Sequence, residues 1–164
     1  MFETISLFLH ETGVGKFIFT LLFSMLPVIE LRGGIPLGVS MGLSVPASFA
    51  AAVIGNMIPV PFIILFVRRV FQWIRKHISF LGGFIEKLER RADEKKDVVL
   101  KYEFWGLMIL VAIPLPGTGA WTGALVAAVL DMRLKKAMPA ITLGVLTAGF
   151  IITAVTYGAL KVFF

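Results

Sequence analysis

Long apolar stretches alternate with short charged ones along the chain. No Asp, Glu, Lys, Arg or His occurs at 33–67, 104–130 or 137–160. Each stretch is longer than the ~20 apolar residues that cross a bilayer, and the first is too long for a single crossing. The pattern predicts an all-α integral membrane protein forming one membrane domain. Its expected segments are 17–45, 46–73, 104–132 and 137–161, with a charged connector at 74–103.

These segments fall into two similar halves. Each half opens with a segment interrupted by Pro and Gly, between Pro27 and Pro36 in the first and between Pro114 and Gly123 in the second. A smoother apolar run follows in each. Pro46-Ala47 and Pro139-Ala140, 93 residues apart, mark the expected equivalent starts of those runs. A broken segment followed by an intact one, twice over, is the order expected of internal repeats in transporters.

Charge bears on whether the broken segments cross the membrane. If they enter and return on one side, the connector and the loop Arg133, Lys135, Lys136 share a face that carries 13 of the 16 Lys and Arg residues. If they cross, the basic residues are divided between compartments. The positive-inside tendency therefore predicts two re-entrant helical hairpins, 17–45 and 104–132, each followed by a transmembrane helix, 46–73 and 137–161. The connector and the 133–136 loop are then cytoplasmic, both termini lie outside, and the repeat is inverted. Arms of about 12 residues extend ~18 Å, which brings the two tips toward each other near mid-membrane. Within the connector, Leu81, Phe84, Ile85 and Leu88 recur at helical spacing. They predict an amphipathic surface helix, with Glu86 and Arg90 four apart on its wet face.

Composition narrows the chemistry. A mean hydropathy of +0.92 agrees with a membrane location. Cysteine is absent, and His10 and His77 lie outside the apolar segments. Thiolate chemistry and a zinc cluster are therefore excluded, and neither enzyme activity nor any cofactor or metal is expected. The formal charge of +6 is explained by residues flanking membrane segments, so no nucleic-acid partner is expected. The first ten residues lack the basic start of a secretory signal and are expected to lie along the membrane surface.

The stretch LPVIELRGGIPLG, residues 26–38, places Glu30 and Arg32 inside the apolar sequence. Ionisable groups at that depth cost at least ~2.5–3.5 kcal/mol each on insertion scales. Two readings follow. The charges neutralise each other structurally, or Glu30 carries a proton while Arg32 holds an anion. A backbone break after Arg32 would let each engage a separate partner. The second interruption, IPLPGTGAWTGALVAA, residues 113–128, has no charge, and there the candidate chemistry is backbone. Gly117, Thr118 and Gly119 precede a helix start whose free N–H groups suit an anion, and the helix restarting after Gly33 and Gly34 offers the same. Trp121 and Asn56 are candidate cavity-lining residues. The alternatives are that Trp121 only packs, and that Asn56 only bonds backbone freed by Pro59 and Pro61.

The pairing of these two motifs resembles the small multidrug export protein family, a distant relative of the DedA and VTT-domain membrane proteins. The resemblance spans nearly the whole chain. It implies two inverted re-entrant hairpins, with Glu30 and Arg32 as the acid and base of the first. It also implies proton-linked movement of a lipid phosphate between leaflets, as in DedA relatives that flip undecaprenyl phosphate. One departure stands out: Gly119 occupies the place where DedA hairpins usually carry an Arg. The expected function is thus a proton-linked transporter or flippase of an anionic amphiphile, such as a polyprenyl phosphate or phospholipid. A drug or cation exporter that uses Glu30, and a non-transporting scaffold in the cell membrane, are the alternatives. The expected partners are the bilayer, protons, the anionic lipid and a second copy of the chain in a homodimer.

Overall fold

A computed structural model describes residues 12–77, 83, 86–87, 90–91, 104–115 and 117–163. The amphipathic helix expected from Leu81, Phe84, Ile85 and Leu88 lies outside the described residues, as do the first ten positions and Pro116. The described residues are helical, with no strand among them. Helix α1 spans Gly13–Ser24, α2 Glu30–Ser40, α3 Val45–Met57, α4 Pro59–His77, α5 Phe104–Ala112, α6 Ala120–Val129 and α7 Leu134–Phe163. Two stretches, Val45–Val67 and Leu134–Gly158, are long and apolar enough to cross a membrane.

Local chemistry sets the helix ends. The Thr12 hydroxyl accepts from the Gly15 amide at 3.0 Å and starts α1. Ser44 caps α3 by accepting from the Ala47 amide, with Pro46 in the first turn, where its missing N–H costs nothing. Helix α2 ends on Gly42 at φ 85°, and the Leu43 amide reaches back to the Gly38 carbonyl at 3.0 Å. Helix α6 ends the same way, on Asp131 at φ 60° with the Met132 amide on the Ala127 carbonyl at 2.9 Å.

The chain divides into two compact units, residues 1–58 with 145–164, and residues 59–144. In the first, α1, α2 and α3 pack through small residues. A side chain at Gly34 would collide with the Ser24 hydroxyl and stand 3.3 Å from the Ala52 Cβ. One at Gly38 would meet the Ser48 hydroxyl at 2.7 Å and that of Thr20 at 3.0 Å, and one at Gly55 would strike the Leu21 carbonyl. Thr20 and Ser24 are fully buried, and each donates to the carbonyl four residues earlier in its own helix. Their hydroxyls thereby cross the apolar seam already satisfied. The 145–163 part of α7 joins this unit with Gly149 against the Phe49 ring, 5.1 Å separating the centroids of Phe49 and Phe150.

In the second unit, α6 packs on α4 and α5. Gly123 abuts Val111 and faces Ile141, while a side chain at Gly144 would stand 2.7 Å from the Met108 carbonyl. The construction of the first unit therefore recurs 89 positions later. Gly34 faces Ala52 as Gly123 faces Ile141, and Gly55 and Gly144 each press on backbone of the preceding helical arm. The left-handed closures at Gly42 and Asp131, and the helix starts at Val45 and Leu134, keep the same interval. The 93-residue match of Pro46-Ala47 with Pro139-Ala140 is thus out of register: Pro46 is in the first turn of α3, whereas Pro139 sits inside α7.

Because Gly55 lies against a carbonyl that cannot move aside, Gly55→Ala is expected to destabilise by about 2 kcal/mol or more. Gly158, which meets nothing within 4 Å, should tolerate alanine without loss. Thermal unfolding of the two purified variants in detergent checks this contrast.

Candidate functional site

The first interruption spans 25–29, not the residues after Arg32. Local bonds bracket it: Met25 donates to the Leu22 carbonyl at 3.2 Å, Leu26 to Phe23 at 3.3 Å and Glu30 to Leu26 at 3.0 Å. Helix α2 begins at Glu30 itself and runs through Gly33 and Gly34. The free helix start expected after the two glycines is therefore absent. The Gly33 amide donates to the Ile29 carbonyl at 3.1 Å, and Gly34 is buried against Ser24. Glycine is a poor helix former, so Gly-Gly reads as a break in the sequence. Here it serves close packing instead.

Glu30 is 3% exposed and adopts φ 51°, a left-handed backbone that a non-glycine residue occupies only at a cost of roughly 1–2 kcal/mol. The chain enters α2 through this residue, so the carboxyl-bearing position is also the point of backbone strain. Arg32 is half-buried two residues on, and its guanidinium interacts electrostatically with the Glu30 carboxyl. Pro36, four residues beyond Arg32 in α2, supplies no N–H to the Arg32 carbonyl.

Asn56 is completely buried in α3, and both polar atoms of its side-chain amide lack a hydrogen-bond partner. The reading in which it bonds backbone freed by Pro59 and Pro61 therefore does not hold. A buried, unsatisfied amide costs ~1–3 kcal/mol, which marks the position as one to explain. Ser48, two turns earlier, has a buried hydroxyl in the same condition.

The second interruption, in the other unit, closes on itself more tightly. The Thr118 hydroxyl lies 2.6 Å from the Ile113 carbonyl and 2.7 Å from that of Leu115, and it accepts from the Leu115 amide at 3.2 Å. The Thr118 amide donates to the Leu115 carbonyl. Thr118, expected as an anion ligand, is engaged in holding its own turn. Gly117 at φ 83° and Gly119 at φ 114° take conformations that suit glycine, and Gly119 precedes α6 with no side-chain cap. At the same interval of 89 positions Glu30 corresponds to Gly119 and Arg32 to Trp121, so neither charge is repeated in the other unit. Trp121 is half-buried in the first turn of α6. A half-open cleft of about 350 Å³ in this unit is lined by Ile64, Leu65, Arg69, Asp131 and Leu134 among others, and includes none of the expected site residues.

Fold and site together define an all-helical membrane protein in which a buried acid and a neighbouring base stand at a helix interruption. Comparison with family models gives the class a name: residues 30–151 match the family described as "Putative small multi-drug export protein". The match covers most of the chain, which belongs to that family, and the family's description points to export of small molecules. No curated protein matches the chain, and no solved structure does.

Thr118→Val should weaken the turn by about 1 kcal/mol, read as faster hydrogen exchange of the 113–118 amides. Were the hydroxyl a substrate ligand instead, transport would fall while exchange stayed unchanged.

Proposed function

We propose that this protein is a proton-linked membrane transporter of an anionic amphiphile, with Glu30 as the proton carrier and Arg32 as the fixed positive charge. The observation that carries this reading is a carboxyl 3% exposed, beside a guanidinium, in a chain otherwise suited to lipid. Such a group is costly to keep unless its charge is used. Arg32 is only half-buried, so a lipid phosphate could reach it while the acyl or prenyl tail remained in the bilayer. Binding of the anion to Arg32 removes the counter-charge of Glu30 and favours proton uptake there.

In this reading both interruptions are re-entrant and inverted relative to one another. The basic connector is cytoplasmic in the cell membrane, and the termini are outside. Apolar interruption residues support intramembrane placement: Val28 is 91% exposed, with Leu26, Ile113 and Leu115 also exposed, where a loop in water would carry polar side chains. Irregular backbone at membrane depth must be covered by protein or line a wet cavity, so a second copy of the chain would cover Leu26–Val28 in a homodimer.

The family description favours one other reading, export of a lipophilic cation bound directly by Glu30. Leaflet transfer of a fluorescent phosphatidic acid, in proteoliposomes with and without a pH gradient, separates the two. Glu30→Gln and Arg32→Ala are each expected to slow transfer by tenfold or more, and the gradient to accelerate only the parent protein. Transfer by both variants at the parent rate contradicts the anion reading. Saturable uptake of a lipophilic cation, lost in Glu30→Gln but kept in Arg32→Ala, would establish the cation reading.

A further inference from the structure

The seam between α2 and α3 has a readable register. Gly38 faces Ser48 and Gly34 faces Ala52. Each step of four residues back along α2 matches a step of four forward along α3, as antiparallel helices require. Extended by one further step, the same register carries Glu30 to the level of Asn56. Both are buried, at 3% and 0% exposure, and between them these two residues hold the carboxyl and the carboxamide of this level. Yet the Asn56 amide makes no hydrogen bond in this structure, in which Glu30 interacts with Arg32.

We infer that Asn56 is the alternate partner of Glu30, receiving its carboxyl when that group is protonated. The inference rests on the proton-linked reading above and deepens it. A neutral carboxylic acid and a carboxamide are complementary: the acid O–H donates to the amide Oδ1, and the amide Nδ2 donates to the acid carbonyl oxygen. An ionised carboxylate can use only the Nδ2 half of that pairing and is better matched by a guanidinium. Two states follow. In the first, Glu30 is ionised and associated with Arg32, and Asn56 is unpaired, as here. In the second, an anionic headgroup occupies Arg32, a proton from the aqueous side has neutralised Glu30, and the acid rests on Asn56. Charge balances, since one negative headgroup charge enters with one proton while Arg32 stays protonated throughout.

Among the described residues of this unit, the helices packed with α2 carry few titratable groups. Helix α1 carries only Lys16, whose ammonium lies near Gly42 at the far end of α2, and α3 carries none. The 145–163 segment carries Tyr157, which is exposed, and Lys161.

The test is the pH profile of phosphatidic acid transfer in phosphatidylcholine proteoliposomes. Asn56→Leu removes the resting place of the acid and is expected to move the pH of half-maximal transfer down by about one unit. Asn56→Asp adds a like charge and should move it up. A residue that only packs would lower the rate and leave the midpoint in place, so an unchanged midpoint in Asn56→Leu overturns the inference. If transfer is also indifferent to Glu30→Gln, the proton-linked reading itself has failed, which is a separate result. Infrared difference spectra of the parent protein on adding phosphatidic acid give a measurement free of folding defects at position 56. A protonated carboxyl band absent from Glu30→Gln should shift when asparagine is isotopically labelled at its side-chain amide. A band insensitive to that label overturns the proposal.

Discussion

A helix interrupted in an apolar environment must satisfy its backbone from within, and the rest of this structure follows from how that is done. The interruption at 25–29 holds its Met25 and Leu26 amides on carbonyls three residues back, and the one at 113–119 recruits the Thr118 hydroxyl as a local clasp. Both are compact turns, held by bonds between neighbouring residues. In the first unit the buried or half-buried polar side chains that the proposed function uses are Glu30, Arg32 and Asn56.

That placement depends on glycine. Gly34, Gly38 and Gly55 let α1, α2 and α3 approach until hydroxyls and carbonyls occupy the space a Cβ would take. Dispersion contacts at this distance replace the hydrophobic drive that lipid cannot supply between helices. The same closeness fixes the register that carries Glu30 to the level of Asn56. The second unit repeats the scaffold with Gly123 and Gly144 but has Gly119 at the position that corresponds to Glu30.

Much of this was legible in the sequence. Apolar runs mark the helices, Pro27 and the cluster from Pro114 to Gly119 mark the two interruptions, and two charges in an apolar stretch single out Glu30 and Arg32 as candidates. Fine registration was not legible. Gly33-Gly34 reads as a break from propensity alone, yet a helix runs through it because Ser24 and Ala52 press on that face. Pro46 and Pro139 look equivalent, but a proline is tolerated both in a first turn and, at a cost, inside a long helix, so the dipeptide carries no register. The state of Asn56 was beyond sequence reading, since whether an amide is satisfied depends on which atoms face it across a seam.

Protonation of Glu30 on arrival of an anion at Arg32 is the central claim. Its most direct measurement is the number of protons taken up per phosphatidic acid bound, from calorimetric titrations in buffers of different ionisation enthalpy. The account predicts an uptake close to one proton for the parent protein and close to none for Glu30→Gln. Equal uptake by both, or binding with no proton uptake by the parent, would contradict it.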